Sequence, residues 1–183
     1  MNNELQFGIQ TNGIKHTHLD PMPDIDHRFS MVKEAKVFDY VDKTPEQDEI
    51  ISFLKAKDKY QIPIKAGGWF YTVGEHKSLL KKNFLTAQNL GSTVHNTQIQ
   101  AINSDGNLVT NSEVRDVYLE AYDMGLKLGV TPCFEVHVNM WSEDFLRVTE
   151  VGNLVEEKGV EFNITLDHSH VIFKINNPKE QKI

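Results

Sequence analysis

Residues 164–173, ITLDHSHVIF, read as a buried strand as far as Leu166 and then place Asp167, His168 and His170 within four positions. Acids and imidazoles are seldom buried without a partner. A second segment of this kind, CFEVHVN at 133–139, sets Glu135 and His137 two apart in an apolar strand pattern. Side chains alternate across a strand. Cys133, Glu135, His137 and Asn139 therefore share one face, against Phe134, Val136 and Val138 on the other. By the same rule Asn163, Thr165 and Asp167 oppose Phe162, Ile164 and Leu166. Over 92–99 the polar set Thr93, His95 and Thr97 opposes Val94 and is expected to face the same interior. A divalent cation takes carboxylate oxygen and neutral imidazole nitrogen together, so these residues could hold one. A purely structural cluster fits the spacing as well, with Lys65 neutralising an acid and the histidines bonding backbone carbonyls.

The elements that must position these groups alternate along the chain. Strands are predicted at 6–12, 37–42, 60–68, 92–99, 131–139 and 160–168. Helical spacing fills 27–36, 46–57, 76–91, 112–129 and 142–159. Thr44 before Pro45 looks like an N-cap with proline in the first turn, and Ser112 and Ser142 look like further caps. Gly91, Gly129 and Gly159 supply the stops. Strands alternating with helices predict a parallel α/β architecture. An open doubly wound sheet would be apolar on both faces, whereas a barrel turns one face inward to a site at its strand C-termini. The polar faces of the last three strands favour the barrel.

The totals set the outer bounds. The chain has 183 residues, 39% hydrophobic and 25% charged, with a mean hydropathy of −0.42. That composition suits a single soluble domain over 1–183. No apolar run reaches the roughly 18 residues that span a bilayer, so no membrane role is expected. One cysteine, Cys133, excludes a disulfide framework and makes a reducing cytoplasm the expected compartment. The formal charge of −7 argues against duplex nucleic acid as a partner, because that binding needs a basic surface. The eight histidines are the one compositional oddity.

CFEVHVNMWSEDFLRV followed about thirty residues later by NITLDHSH resembles the xylose isomerase-like TIM-barrel superfamily of sugar isomerases, ketose 3-epimerases, inosose dehydratases and endonuclease IV-type enzymes. FGIQTNG and GVTPCFEVH fit the same style. The resemblance implies that Glu135 and Asp167 are ligands to a divalent ion (Mn, Mg, Co or Zn) and that His170 contacts substrate or metal. Glu135 then doubles as an acid/base group in proton transfer at a ketose. His137, on the same inward face as Glu135, is expected either to contact substrate or to be a satisfied polar core residue, and His95 is a weaker substrate candidate at the fourth strand's mouth. His168 is expected on the helix side, His16 and His18 in solvent. Trp69, Phe70 and Tyr71 after the third strand offer an apolar wall, although core packing is their commoner use. The implied substrate is a small sugar or sugar phosphate. A non-catalytic scaffold is the alternative, and an endonuclease IV-like phosphodiesterase a weaker one.

A full barrel has eight strands and about 250 residues. Six strands predict an incomplete (β/α) barrel, about six of eight units, with Asn177–Pro178 opening a sixth helix. Unpaired edges at the first and last strands predict a homo-oligomer or a complementing chain, and a weak or inactive enzyme on its own.

Overall fold

The computed structural model describes residues 5–11 and 23–170. His16, His18 and the predicted Asn177–Pro178 helix start lie outside them. The described order is β1 (Gly8–Gln10), α1 (Ile25–Ala35), β2 (Tyr40–Asp42), α2 (Ile50–Tyr60), β3 (Ile64–Ala66), β4 (Gly68–Tyr71), α3 (His76–Leu90), β5 (Val94–Ile99), α4 (Asn111–Leu128), β6 (Thr131–Val136), a 3-10 turn (Trp141–Glu143), α5 (Phe145–Glu156) and β7 (Ile164–Leu166). Every strand pairing is parallel, in the orders β1-β2-β3 and β4-β5-β6-β7.

These two sheets are halves of one barrel wall. β3 falls within the predicted third strand, which does not end at Gly68 as expected but is cut at Gly67, switches partner there and runs on as β4 to Tyr71. The ladder carries on through the cut: Thr93 N donates to Lys65 O at 3.3 Å and Asn96 N to Gly67 O at 2.7 Å. Glycine is required because a Cβ at Gly67 would lie 2.6 Å from the backbone nitrogen of Thr44 and overlap its side chain. The incomplete parallel βα barrel expected from the pattern is the fold observed.

The helices cover the outer face in two apolar clusters. α1 and α2 press Phe29 and Phe53, edge to face at 5.7 Å, onto Val41 and Ile64. α3, α4 and α5 bring Leu80, Phe84, Val117, Tyr118 and Val151 against Ile99 and Phe134. Full burial of each such side chain is worth roughly 1.5–3 kcal/mol. The Tyr118 hydroxyl donates to Glu161 O and accepts from Asn163 N, both at 2.8 Å. It thereby fastens α4 to the approach of β7. Among the described residues β1 and β7 pair on one side only, and Phe7, Ile164 and Leu166 stay about half exposed. No helix among them is long and apolar enough to cross a membrane.

Three caps differ from the sequence expectation. α2 begins at Ile50, because Thr44 is buried against Gly67 and 45–49 form a turn closed by a Lys43–Glu49 ion pair at 3.1 Å. α4 is capped by Thr110: Glu113 N donates to its hydroxyl while the Glu113 carboxylate accepts from Thr110 N. That reciprocal pair out-competes Ser112. Asp144 caps α5, and Ser142 is used elsewhere. The Gly67 approach predicts that Gly67→Ala destabilises the protein by about 1–3 kcal/mol, read as a lower urea midpoint.

Candidate active site

The C-terminal ends of the strands meet at one cavity of about 590 Å³. β1 contributes Gln10, β2 Asp42, β4 Gly68 and Phe70, β5 Asn96 and Gln98, β6 Glu135, and the turn beyond β7 Asp167 and His170. The pairing register explains the choice. Gly68 stands beside Asn96, Phe70 beside Gln98, Asn96 beside Cys133, and Glu135 beside Thr165. Neighbours in register point the same way, so these side chains form stacked interior layers. One layer is closed by Thr165 Oγ1 donating to Asn96 Oδ1 at 2.6 Å.

This register corrects the expected orientation of β5. Asn96 and Gln98 face the cavity, while His95, Thr97 and Ile99 are fully buried on the helix side. His95 is therefore no part of the mouth. It packs edge to face on Phe84 at 5.1 Å, and its Nε2 lies 2.7 Å from the Tyr71 hydroxyl, which also accepts from Asn83 Nδ2 at 2.8 Å. Burial pushes the His95 ring down to about 4, so it is neutral near pH 7. Ile99, an apolar anchor at the same parity as His95, was the available signal. Of the aromatic triplet, Trp69 and Phe70 both line the cavity and Tyr71 is core, with Trp69 also packed against the core.

Glu135 sits at the end of β6 as the buried acid of the cavity. Gln98 Nε2 donates to its Oε2 at 2.6 Å. Burial pushes its carboxyl up; Gln98 and His137 pull it partly back, while Asp167 and Asp42 add to the rise. Just beyond, Ser142 Oγ donates to Glu135 O at 2.7 Å and accepts from His137 N at 3.1 Å. The hydroxyl that looked like a helix cap thus fixes the end of β6. His137 Nδ1 lies 2.7 Å from Val138 O. A carbonyl only accepts, so Nδ1 carries the proton and a neutral ring keeps its lone pair on Nε2.

His170 stacks on His137 with ring centroids 3.7 Å apart. Its Nε2 is 3.5 Å from Asp167 Oδ2, and its buried Nδ1 has no partner among the described residues. Asp167 Oδ1 accepts from Ser169 N at 2.8 Å and Ser169 Oγ at 2.6 Å. Burial alone would raise the Asp167 carboxyl, but the Ser169 bonds and the His170 charge outweigh it and hold it low. His168 is exposed. Lys65 neutralises none of these acids; its Nζ bonds Gln6 Oε1 at 2.5 Å.

One donor atom each from Glu135, His137 and His170 lies within 4.8 Å of the others. That donor set, with an orphaned imidazole nitrogen inside it, suits a borderline divalent ion. Asp167 lines the same cavity and orients His170, the kind of carboxylate–histidine support that metal-binding imidazoles use. Gln10, Asp42 and Gln98 are the site residues that sequence reasoning missed. For Asp42 the signal was its place as the last residue of VFDYVD, and for Gln98 the alternation running out to Ile99.

No family model matches the sequence, and no curated protein matches it. Solved structures do. The D-allulose 3-epimerase of Methylomonas sp., in complex with D-allulose, superposes with a TM-score of 0.71 at 12% identity over 94% of this chain and 65% of its own. The IOLI protein with a bound zinc atom gives 0.64 at 17% identity, covering 98% and 70%. A xylose isomerase-like TIM barrel/4-hydroxyphenylpyruvate dioxygenase fusion protein gives 0.70 at 13%, covering 92% and 28%. The chain has the parallel βα-barrel fold of these structures. It spans about two thirds of the length of the single-barrel structures it matches.

Two pH effects follow, with opposite signs. The His95 pKa is depressed from 6.5 to about 4, so its contribution is present above pH 6.5 and lost as pH falls toward 4. The urea midpoint should drop between pH 7 and 5, and His95→Gln should flatten that drop. Glu135 is raised, so the folded protein holds its proton more tightly than the unfolded chain, and stability falls as pH rises through that window. Glu135→Gln should accordingly unfold at a higher temperature than the parent at pH 7, by a few degrees, in a calorimetric scan.

Proposed function

We propose that this cavity carries out proton transfer at the carbon beside a ketose carbonyl, the chemistry of a metal-dependent sugar isomerase or epimerase. The observation that carries the reading is the buried Glu135 carboxylate, its pKa raised by burial, grouped with two imidazole donors at the end of its own and the next strand. A proton-transfer group works best when its pKa lies near the operating pH. Two neighbouring acids with divergent pKa values divide acid/base duty in the usual way: Glu135 exchanges the proton while Asp167 stays ionised.

Glu135, His137 and His170 would hold the divalent ion, with Asp167 supporting His170 or joining the set. When bound, that ion would supply Lewis-acid polarisation of a substrate carbonyl and stabilise the negative charge on its oxygen. Gln98 holds one Glu135 oxygen, which leaves the other for the ion and the substrate beside it. The Val138 carbonyl fixes the His137 tautomer. Phe70, edge to face with His137 at 6.0 Å, is an apolar wall against the carbon face of a sugar and keeps water from the proton-transfer atoms. The fold's sugar-handling members, a D-allulose 3-epimerase and an L-ribulose 3-epimerase among them, support the substrate class.

The test combines metal titration with solvent exchange. Calorimetry should find one Mn, Co or Zn ion per chain, weakened at least tenfold in His137→Ala and in Glu135→Gln. In heavy water the metal-loaded protein should place deuterium on the carbon beside the carbonyl of a ketose substrate. No ion bound and no deuterium in any of a panel of ketoses would end the proposal.

A further inference from the structure

Asp42 is a half-buried acid of the cavity to which no described side chain donates, whereas Glu46, the other lining acid without such a donor, is exposed to water. It ends β2, where its backbone is held in register beside Gln10 on one side and Ala66 on the other. Its side chain lines the cavity, half-buried, and accepts no hydrogen bond among the described residues. Neither neighbouring lysine serves it: Lys43 is paired with Glu49 at 3.1 Å and Lys65 with Gln6. Burial pushes its carboxyl above the ordinary range, and its charge reaches Glu135. A partly desolvated carboxylate without donors is unfavourable unless a ligand brings them.

The cavity's charge narrows what that ligand is. Asp42, Glu46, Glu135 and Asp167 all line it, and Lys43, already engaged, is the lysine or arginine among the described lining residues. A phosphate dianion entering this space meets like charge, with no free guanidinium or ammonium among the described lining residues to offset it. A polyol meets acceptors for its hydroxyls and the amides of Gln10 and Gln98, which both donate and accept. The two oxygens of one carboxylate match two neighbouring hydroxyls of an open-chain sugar.

We infer that Asp42 is a specificity residue that binds the hydroxyls of an unphosphorylated ketose and repels its phosphate ester. The inference rests on the isomerase or epimerase reading of the same site and adds the substrate class to it. Asp42 stands on the β2 side of the cavity, with two barrel strands between it and β6. It would therefore grip the sugar away from the carbon that Glu135 works on.

Asp42→Asn keeps the shape and removes the charge. Binding to the metal-loaded chain would be measured by calorimetry with D-fructose and D-fructose 6-phosphate, and metal affinity would be measured in parallel. The parent should bind the free sugar at least tenfold more tightly than the ester. The variant should keep its metal affinity, lose about tenfold toward the free sugar, and gain toward the ester. A parent that favours the ester, a preference unchanged in the variant, or metal-loaded protein that binds neither sugar would overturn the role of Asp42. Loss of the reading beneath it looks different, because then the parent fails to hold a metal at all.

Discussion

A β-strand sends only every second side chain to the same side of a sheet, and the interior of this molecule is built on that restriction. Parallel neighbours in register point alike, so a strand's parity decides in one step which residues meet the cavity and which meet the helices. On β5 the consequence is stark: Gln98 reaches Glu135, while His95, three residues earlier, is locked behind the sheet among Tyr71, Asn83 and Phe84. The same rule carries Phe70 inward and Tyr71 outward on consecutive positions.

Once the polar residues are gathered, electrostatics separates their duties. Glu135 and Asp167 share a cavity but have different donors around them. Glu135 receives one amide hydrogen bond and suffers burial, which leaves its charged form poorly stabilised. Asp167 receives two bonds from Ser169 and the company of His170, which more than offset its burial. The carboxylate with fewer donors is the one whose proton is held more tightly than in an ordinary carboxyl. The better-satisfied one becomes an anchor for an imidazole.

Small polar groups outside the cavity hold this arrangement in place. Ser142 bonds the backbone on both sides of the β6 terminus and thereby aims His137. Tyr118 pins the entry of β7 to α4. Thr44 packs against Gly67 where the third strand switches sheets, so the cut in the wall is rigidly seated between β2 and β5. None of these groups touches the carboxylates of the cavity, yet each constrains a strand that leads to one.

The sequence alone determined the class of fold, because strand and helix periods are local and hydrophobic repetition reports them directly. It also placed Glu135, His137, Asp167 and His170 together at strand ends, since each lies in or just after an alternating run with a clear apolar face. Local pattern could not determine the parity of β5, where Val94 suggests one face and Ile99 the other; contact with Phe84 and Tyr71 decided it. Nor could it show that Asp42, Gln10 and Gln98 share the cavity, because their strands lie far apart in sequence and meet only through register. The cap at Thr110 is a local Thr-x-x-Glu box that the sequence already held, whereas at the start of α5 tertiary contact draws Ser142 away to hold β6 and leaves the cap to Asp144. Periodicity belongs to a segment and survives in isolation, whereas register and burial are properties of segments brought side by side.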